Sequence, residues 1–103
     1  MSTLECGIAS IYSSVSEETA SGEDTSSENF TAAHRTLPFG AVVHVQNEEN
    51  GHTVVVRITD RGPFVAGRII DVSQIAAREL HFTGLAKVCL RIVWTPPNAG
   101  GGK

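Results

Sequence analysis

From Thr53 to Thr59 every residue except Arg57 is β-branched, and the run stops at Asp60-Arg61-Gly62-Pro63. Side chains branched at Cβ are stiff in a helix and pack well on a pleated surface, so this segment is predicted to be a strand. Gly62 supplies turn freedom and Pro63 cannot donate to a ladder, which ends the strand at a defined place. Just upstream, Asn50-Gly51 suits positive backbone φ and predicts a hairpin. Its other arm is 41–46, where alternation puts Val43 and Val45 on one face and His44 and Gln46 on the other. Further short strands are predicted at 7–12, 68–72 and 87–94, and order restarts at Phe30–Ala33 before the turn Leu37-Pro38-Phe39-Gly40. One helix is expected near 73–80, with Ser73 as its cap and Ile75, Ala76, Ala77 and Leu80 as its apolar face. Short strands with a single helix predict a mainly β chain, and closure into a barrel would hide the strand edges.

The chain has 103 residues, enough for one domain and one modest core. Residues 1–94 are read as that domain, and 95–103, rich in Pro and Gly, as a flexible linker or tail. Within the domain, 13–28 is mostly Ser, Glu, Thr and Asp, has little to bury and is predicted to be a mobile acidic loop. Two weak echoes, Thr53–Ile58 with Lys87–Ile92 and Pro38-Phe39 with Pro63-Phe64, would suit a barrel of two similar halves.

The net charge of −3 is less telling than its distribution. Residues 1–34 carry Glu5, Glu17, Glu18, Glu23, Asp24 and Glu28 without a single Lys or Arg. An acidic front third opposes nucleic-acid binding, which needs a basic face against the phosphates. No apolar run is long enough to span a membrane, and no signal sequence is visible. Cys6 and Cys89 lack metal-ligand spacing; a disulfide and two buried thiols both fit them.

Three residues could carry chemistry. Asp60 closes a strong strand, which would hold its carboxylate rigidly; it could act as an acid–base group or simply shape the turn. Glu23 could be a second carboxylate or a solvated loop residue. His34 could orient a carboxylate, move a proton or be structural. His44, His52 and His81 show no usable pattern.

Four segments in order narrow these alternatives: Thr19-Ala-Ser-Gly-Glu23, Phe30-Thr-Ala-Ala-His34-Arg-Thr-Leu-Pro-Phe-Gly40, Val56-Arg-Ile-Thr-Asp60-Arg-Gly-Pro-Phe64 and Gly67-Arg-Ile-Ile-Asp-Val-Ser73. Together they resemble the rare lipoprotein A (RlpA-like) double-psi β-barrel family over roughly residues 6–93. The resemblance implies a six-stranded double-psi β-barrel with one short helix. It also implies a lytic transglycosylase that cleaves between N-acetylmuramic acid and N-acetylglucosamine in peptide-stripped glycan, leaving a 1,6-anhydro end. By motif match the catalytic set is Asp60 as acid/base, Glu23 as charge stabiliser or second carboxylate and His34 as orienter. Tyr12, Thr19, Ser21 and Arg61 form the substrate-binding set, although Arg61 is read first as a brace of the turn.

The chain departs from the family pattern in places. Ser13 follows Tyr12 where a glycine is usual, Ser13–Glu18 lacks a Phe-x-Gly segment, and Thr25 stands where an aromatic is common. These changes thin the aromatic lining of the implied groove. They keep two alternatives in view: a non-catalytic, expansin-like wall-binding module, and a protein-interaction domain of an envelope complex. Neither metal nor cofactor is expected, and the partner would be peptidoglycan glycan strands bound by a monomer. Such a protein would be exported, periplasmic or anchored to the outer membrane, with its signal or lipid anchor outside this sequence.

Overall fold

The computed structural model describes residues 4–11 and 29–97. Six strands close into a barrel: β1 (Leu4–Ile11), β2 (Thr31–Ala33), β3 (Val42–Asn47), β4 (Thr53–Asp60), β5 (Arg68–Val72) and β6 (Ala86–Trp94). Around the barrel they run β1-β5-β2-β4-β3-β6, and one helix, α1 (Gln74–Leu80), joins β5 to β6. The mainly β, six-stranded, one-helix architecture is the expected one. Both parallel contacts, β1 with β5 and β2 with β4, join strands distant in sequence, while β3–β4 is the predicted antiparallel hairpin.

Alternation builds the core. Val43 and Val45 of β3, Val56 and Ile58 of β4, Ile70 and Val72 of β5, and Val88 and Leu90 of β6 are buried, with Ala9 and Ala32 where strands crowd. Each large aliphatic side chain so buried contributes about 1.5–3 kcal/mol. Ala76, Ala77 and Leu80 of α1 join the same cluster, which is why the expected helical face is apolar. The Ser73 hydroxyl accepts from the Ala76 N–H at 3.4 Å and caps the helix start.

The other end of α1 is finished by the β3–β4 hairpin. His81 adopts the left-handed conformation (φ 59°), and the Leu80 carbonyl accepts from Asn47 Nδ2 at 2.9 Å and Asn50 Nδ2 at 3.1 Å. Gly51 takes φ +83° in that turn, and its N–H donates to the Asn47 carbonyl at 2.8 Å.

β1 begins at Leu4, ahead of the expected start at Gly7. Cys6 and Cys89 face each other across β1 and β6 with Cα atoms 4.0 Å apart, and they are disulfide-bonded. The bond lies on the outside of the barrel, with Cys6 exposed and Cys89 half-buried, so the alternative of two core thiols is set aside. The expected tail starts by touching the barrel: Pro96 is half-buried, and a Cβ on Gly40 would meet its Cγ at 3.0 Å. The expected loop 13–28 and the residues 98–103 lie outside the described part.

Candidate active site

Asp60 is the last residue of β4, where pairing to β2 slips: Ala32 opposes Ile58, Ala33 opposes Asp60, and Thr59 is the extra residue. Such a bulge re-aims the side chain beyond it. Asp60 Oδ1 accepts the Arg61 N–H at 2.8 Å, and the Asp60 carbonyl accepts the His34 N–H at 3.1 Å. The carboxylate is half-exposed, on a strand end fastened from both sides.

Arg61 turns back over the neighbouring loop. Its Nη1 donates to the carbonyls of His34 at 3.2 Å and Leu37 at 2.7 Å, and its guanidinium lies 4.1 Å above the centre of the Phe39 ring. A planar cation spent on two carbonyls and one aromatic face holds two segments together. Beyond it, Gly62 takes φ +119°, a conformation closed to side chains, before a cis bond to Pro63. Phe64 then emerges 76% exposed.

His34 is 5% exposed and has both ring nitrogens engaged. Nδ1 accepts the N–H groups of Thr36 at 3.1 Å and Leu37 at 3.2 Å. An acceptor Nδ1 assigns the ring proton to Nε2, which donates to Glu5 Oε1 at 2.9 Å. The imidazole thus shapes the loop whose carbonyls grip Arg61. Glu5 and His34 also line a cleft of about 150 Å³ with Thr36, Leu37, Leu90 and Ile92.

A second line of polar residues crosses the same sheet. Ala33 opposes Asp60 on one side and Asp71 on the other, and Asp71 opposes Ser10. Inward positions of β1, β2 and β5 are taken by Ala9, Ala32, Ile70 and Val72, so alternation puts Ser10, Ala33 and Asp71 on the other face. The bulge at Thr59 brings Asp60 into the same row, opposite a buried Ala33. The Ser10 hydroxyl, 8% exposed, donates to Asp71 Oδ1.

Of the residues singled out from sequence, Asp60, His34 and Arg61 come together here. Glu23, Tyr12, Thr19 and Ser21 lie outside the described residues. Glu5, Ser10 and Asp71 were not singled out, although Asp71 and Ser73 sit in a motif quoted for the resemblance. Among the described residues no group of three His, Cys, Asp or Glu is placed to hold a metal ion, and no helix is long and apolar enough to cross a membrane.

A family model described as "Lytic transglycolase" matches residues 4–92. "Probable endolytic peptidoglycan transglycosylase RlpA" of Synechocystis sp. is 53% identical over 94 residues, covering 87% of this chain and 29% of that protein. "Endolytic peptidoglycan transglycosylase RlpA" of Pasteurella multocida is 51% identical over 80 residues, covering 76% of this chain and 27% of that protein. The chain therefore spans less than a third of the length of these curated relatives. Among solved structures, apo-expansin of Clavibacter michiganensis matches with a TM-score of 0.73 at 19% identity, over 91% of this chain and 52% of that one, a likeness of fold alone. With its closed barrel, the Asp60 turn and identities of this size, the chain belongs to the RlpA-like lytic transglycosylase family.

Proposed function

We propose that this domain is a peptidoglycan lytic transglycosylase that cleaves the bond between N-acetylmuramic acid and N-acetylglucosamine in peptide-stripped strands, leaving 1,6-anhydro ends. The observation that carries the reading is the mounting of Asp60. Its carboxylate sits at the end of a core strand, and its neighbours His34 and Arg61 are both committed to holding the adjoining loop. Fixed placement of an acid–base group is what proton transfer to a leaving oxygen requires.

In this mechanism Asp60 protonates the glycosidic oxygen as the C1–O bond breaks. The muramic acid C6 hydroxyl then closes on C1 and gives up its proton to a base, so no water is consumed. Glu23 stabilises the positive charge that develops at C1, and His34 orients the Asp60 loop without exchanging protons with substrate. Tyr12, Thr19 and Ser21 complete the substrate-binding set. Arg61 acts as the brace that keeps Phe39 and the 34–37 loop in register.

The Cys6–Cys89 disulfide suits an oxidising compartment, in keeping with an exported protein that is periplasmic or anchored at the outer membrane. It works as a monomer on glycan strands. Incubation with peptide-stripped glycan and mass spectrometry of the products tests the reading, which requires anhydro-muramic ends. Binding without release of such ends would replace it with the expansin-like wall-binding module; neither binding nor release would favour the envelope-complex domain.

A further inference from the structure

The row Asp60–Ala33–Asp71–Ser10 holds a carboxylate with no role in the mechanism above. Resting on the transglycosylase reading, we infer that Asp71 is a second catalytic residue, the base that takes the proton from the C6 hydroxyl. Asp60 and Asp71 flank the same residue, Ala33, on its two neighbouring strands. Two strand spacings put their Cα atoms about 10 Å apart, a span across which two carboxyl groups can flank one glycosidic bond. Ala33 between them is itself buried, so no large side chain of β2 stands between the two carboxyl groups.

Ser10 explains why Asp71 is fit for this part. Its hydroxyl is nine-tenths buried and donates to Asp71 Oδ1, which fixes the direction of the carboxyl group. The anchor comes from a different strand, so the carboxylate is fixed by the barrel itself. Asp60, in contrast, accepts from the backbone of its own turn.

The step balances. The proton on Asp60 goes to the leaving oxygen as the C1–O bond breaks; the C6 oxygen bonds to C1, and its proton passes to Asp71. Water then removes the proton from Asp71 and returns one to Asp60. No oxidant or other co-reactant is consumed.

The test compares wild type, Asp71→Asn, Asp71→Ala and Ser10→Ala on peptide-stripped glycan, scoring anhydro ends by mass spectrometry and binding by co-sedimentation. Asn retains an oxygen for the Ser10 hydroxyl, so Asp71→Asn should fold and bind as wild type while losing about 100-fold or more in kcat. Formate added to Asp71→Ala should restore part of the turnover, which a merely structural carboxylate would not allow. Ser10→Ala should lower kcat several-fold at unchanged KM, and it decides the matter if the Asp71 variants fail to fold. Undiminished turnover by a folded Asp71→Asn, or by Ser10→Ala in its place, overturns this inference alone. A wild-type chain that releases no anhydro ends overturns the transglycosylase reading and this inference with it.

Discussion

Replacing His34 separates a chemical role from a structural one, because the two ring nitrogens can be removed independently. His34→Ala deletes the acceptor for the Thr36 and Leu37 N–H groups and the donor to Glu5. Backbone N–H groups left dry cost about 1–3 kcal/mol each. The Glu5 carboxylate is 42% exposed, so losing its bond adds little. Thr36 is exposed and water can take its N–H, so the sum for His34→Ala is about 2–3 kcal/mol, with the Arg61 clamp loosened as the loop relaxes. His34→Asn differs: its Oδ1 can occupy nearly the position of Nδ1 and accept the same two N–H groups. That variant should lose only about 1 kcal/mol and keep activity within about tenfold, since no proton transfer passes through the ring. Urea denaturation gives the stabilities and anhydro-end release gives the activities. If His34→Asn is as stable as wild type yet inactive, the ring acts on substrate and the positional account is wrong.

Three other perturbations probe independent parts of the molecule. Asp60→Asn is expected to lower anhydro-product formation by about 100- to 10,000-fold with the circular dichroism spectrum unchanged, and full activity would remove Asp60 from the mechanism. Reducing the Cys6–Cys89 bond, which closes a separation of 83 residues, should cost about 4.5 kcal/mol in the chain-entropy view; an unshifted denaturation midpoint with dithiothreitol would contradict that. Gly62→Ala forces a side chain into φ +119° at the turn after Asp60, so thermal melting should reveal a loss of about 1–3 kcal/mol, and an unchanged melt would mean the turn adopts another conformation.

The legibility of the fold in the sequence follows the range of the forces involved. β4 and its turn were readable because β-branching, glycine and proline act on their own neighbours. Strand β2 was seen only as restarting order: Thr31-Ala-Ala33 is too short and too small to show a period, and it becomes a strand because β4 and β5 pair with it from both sides. The same distinction separates the parts of the site. Asp60 carries its context beside it, whereas the Ser10–Asp71 and Glu5–His34 contacts join residues 61 and 29 apart. Such pairs depend on barrel register, and no local pattern announces them. Cys6 and Cys89 left two pairings open until β1 and β6 were seen side by side.

The asparagine pair that finishes α1 sets a limit on how the protein ages. Asn50 precedes Gly51, the neighbour least able to shield an amide from backbone attack, and both residues are exposed. Deamidation begins when the following backbone nitrogen closes on the side-chain carbonyl, and here the Gly51 N–H is tied to Asn47. The turn therefore restrains the reaction while it stays intact and exposes the amide whenever the hairpin opens. Conversion of Asn50 to aspartate would replace a donor with a carboxylate facing the Leu80 and His81 carbonyls, at the negative end of the helix. Each such event would weaken the hold of the hairpin on α1 and make the next opening easier. Shelf life and helix anchoring are thus set by the same five-residue connection between β3 and β4.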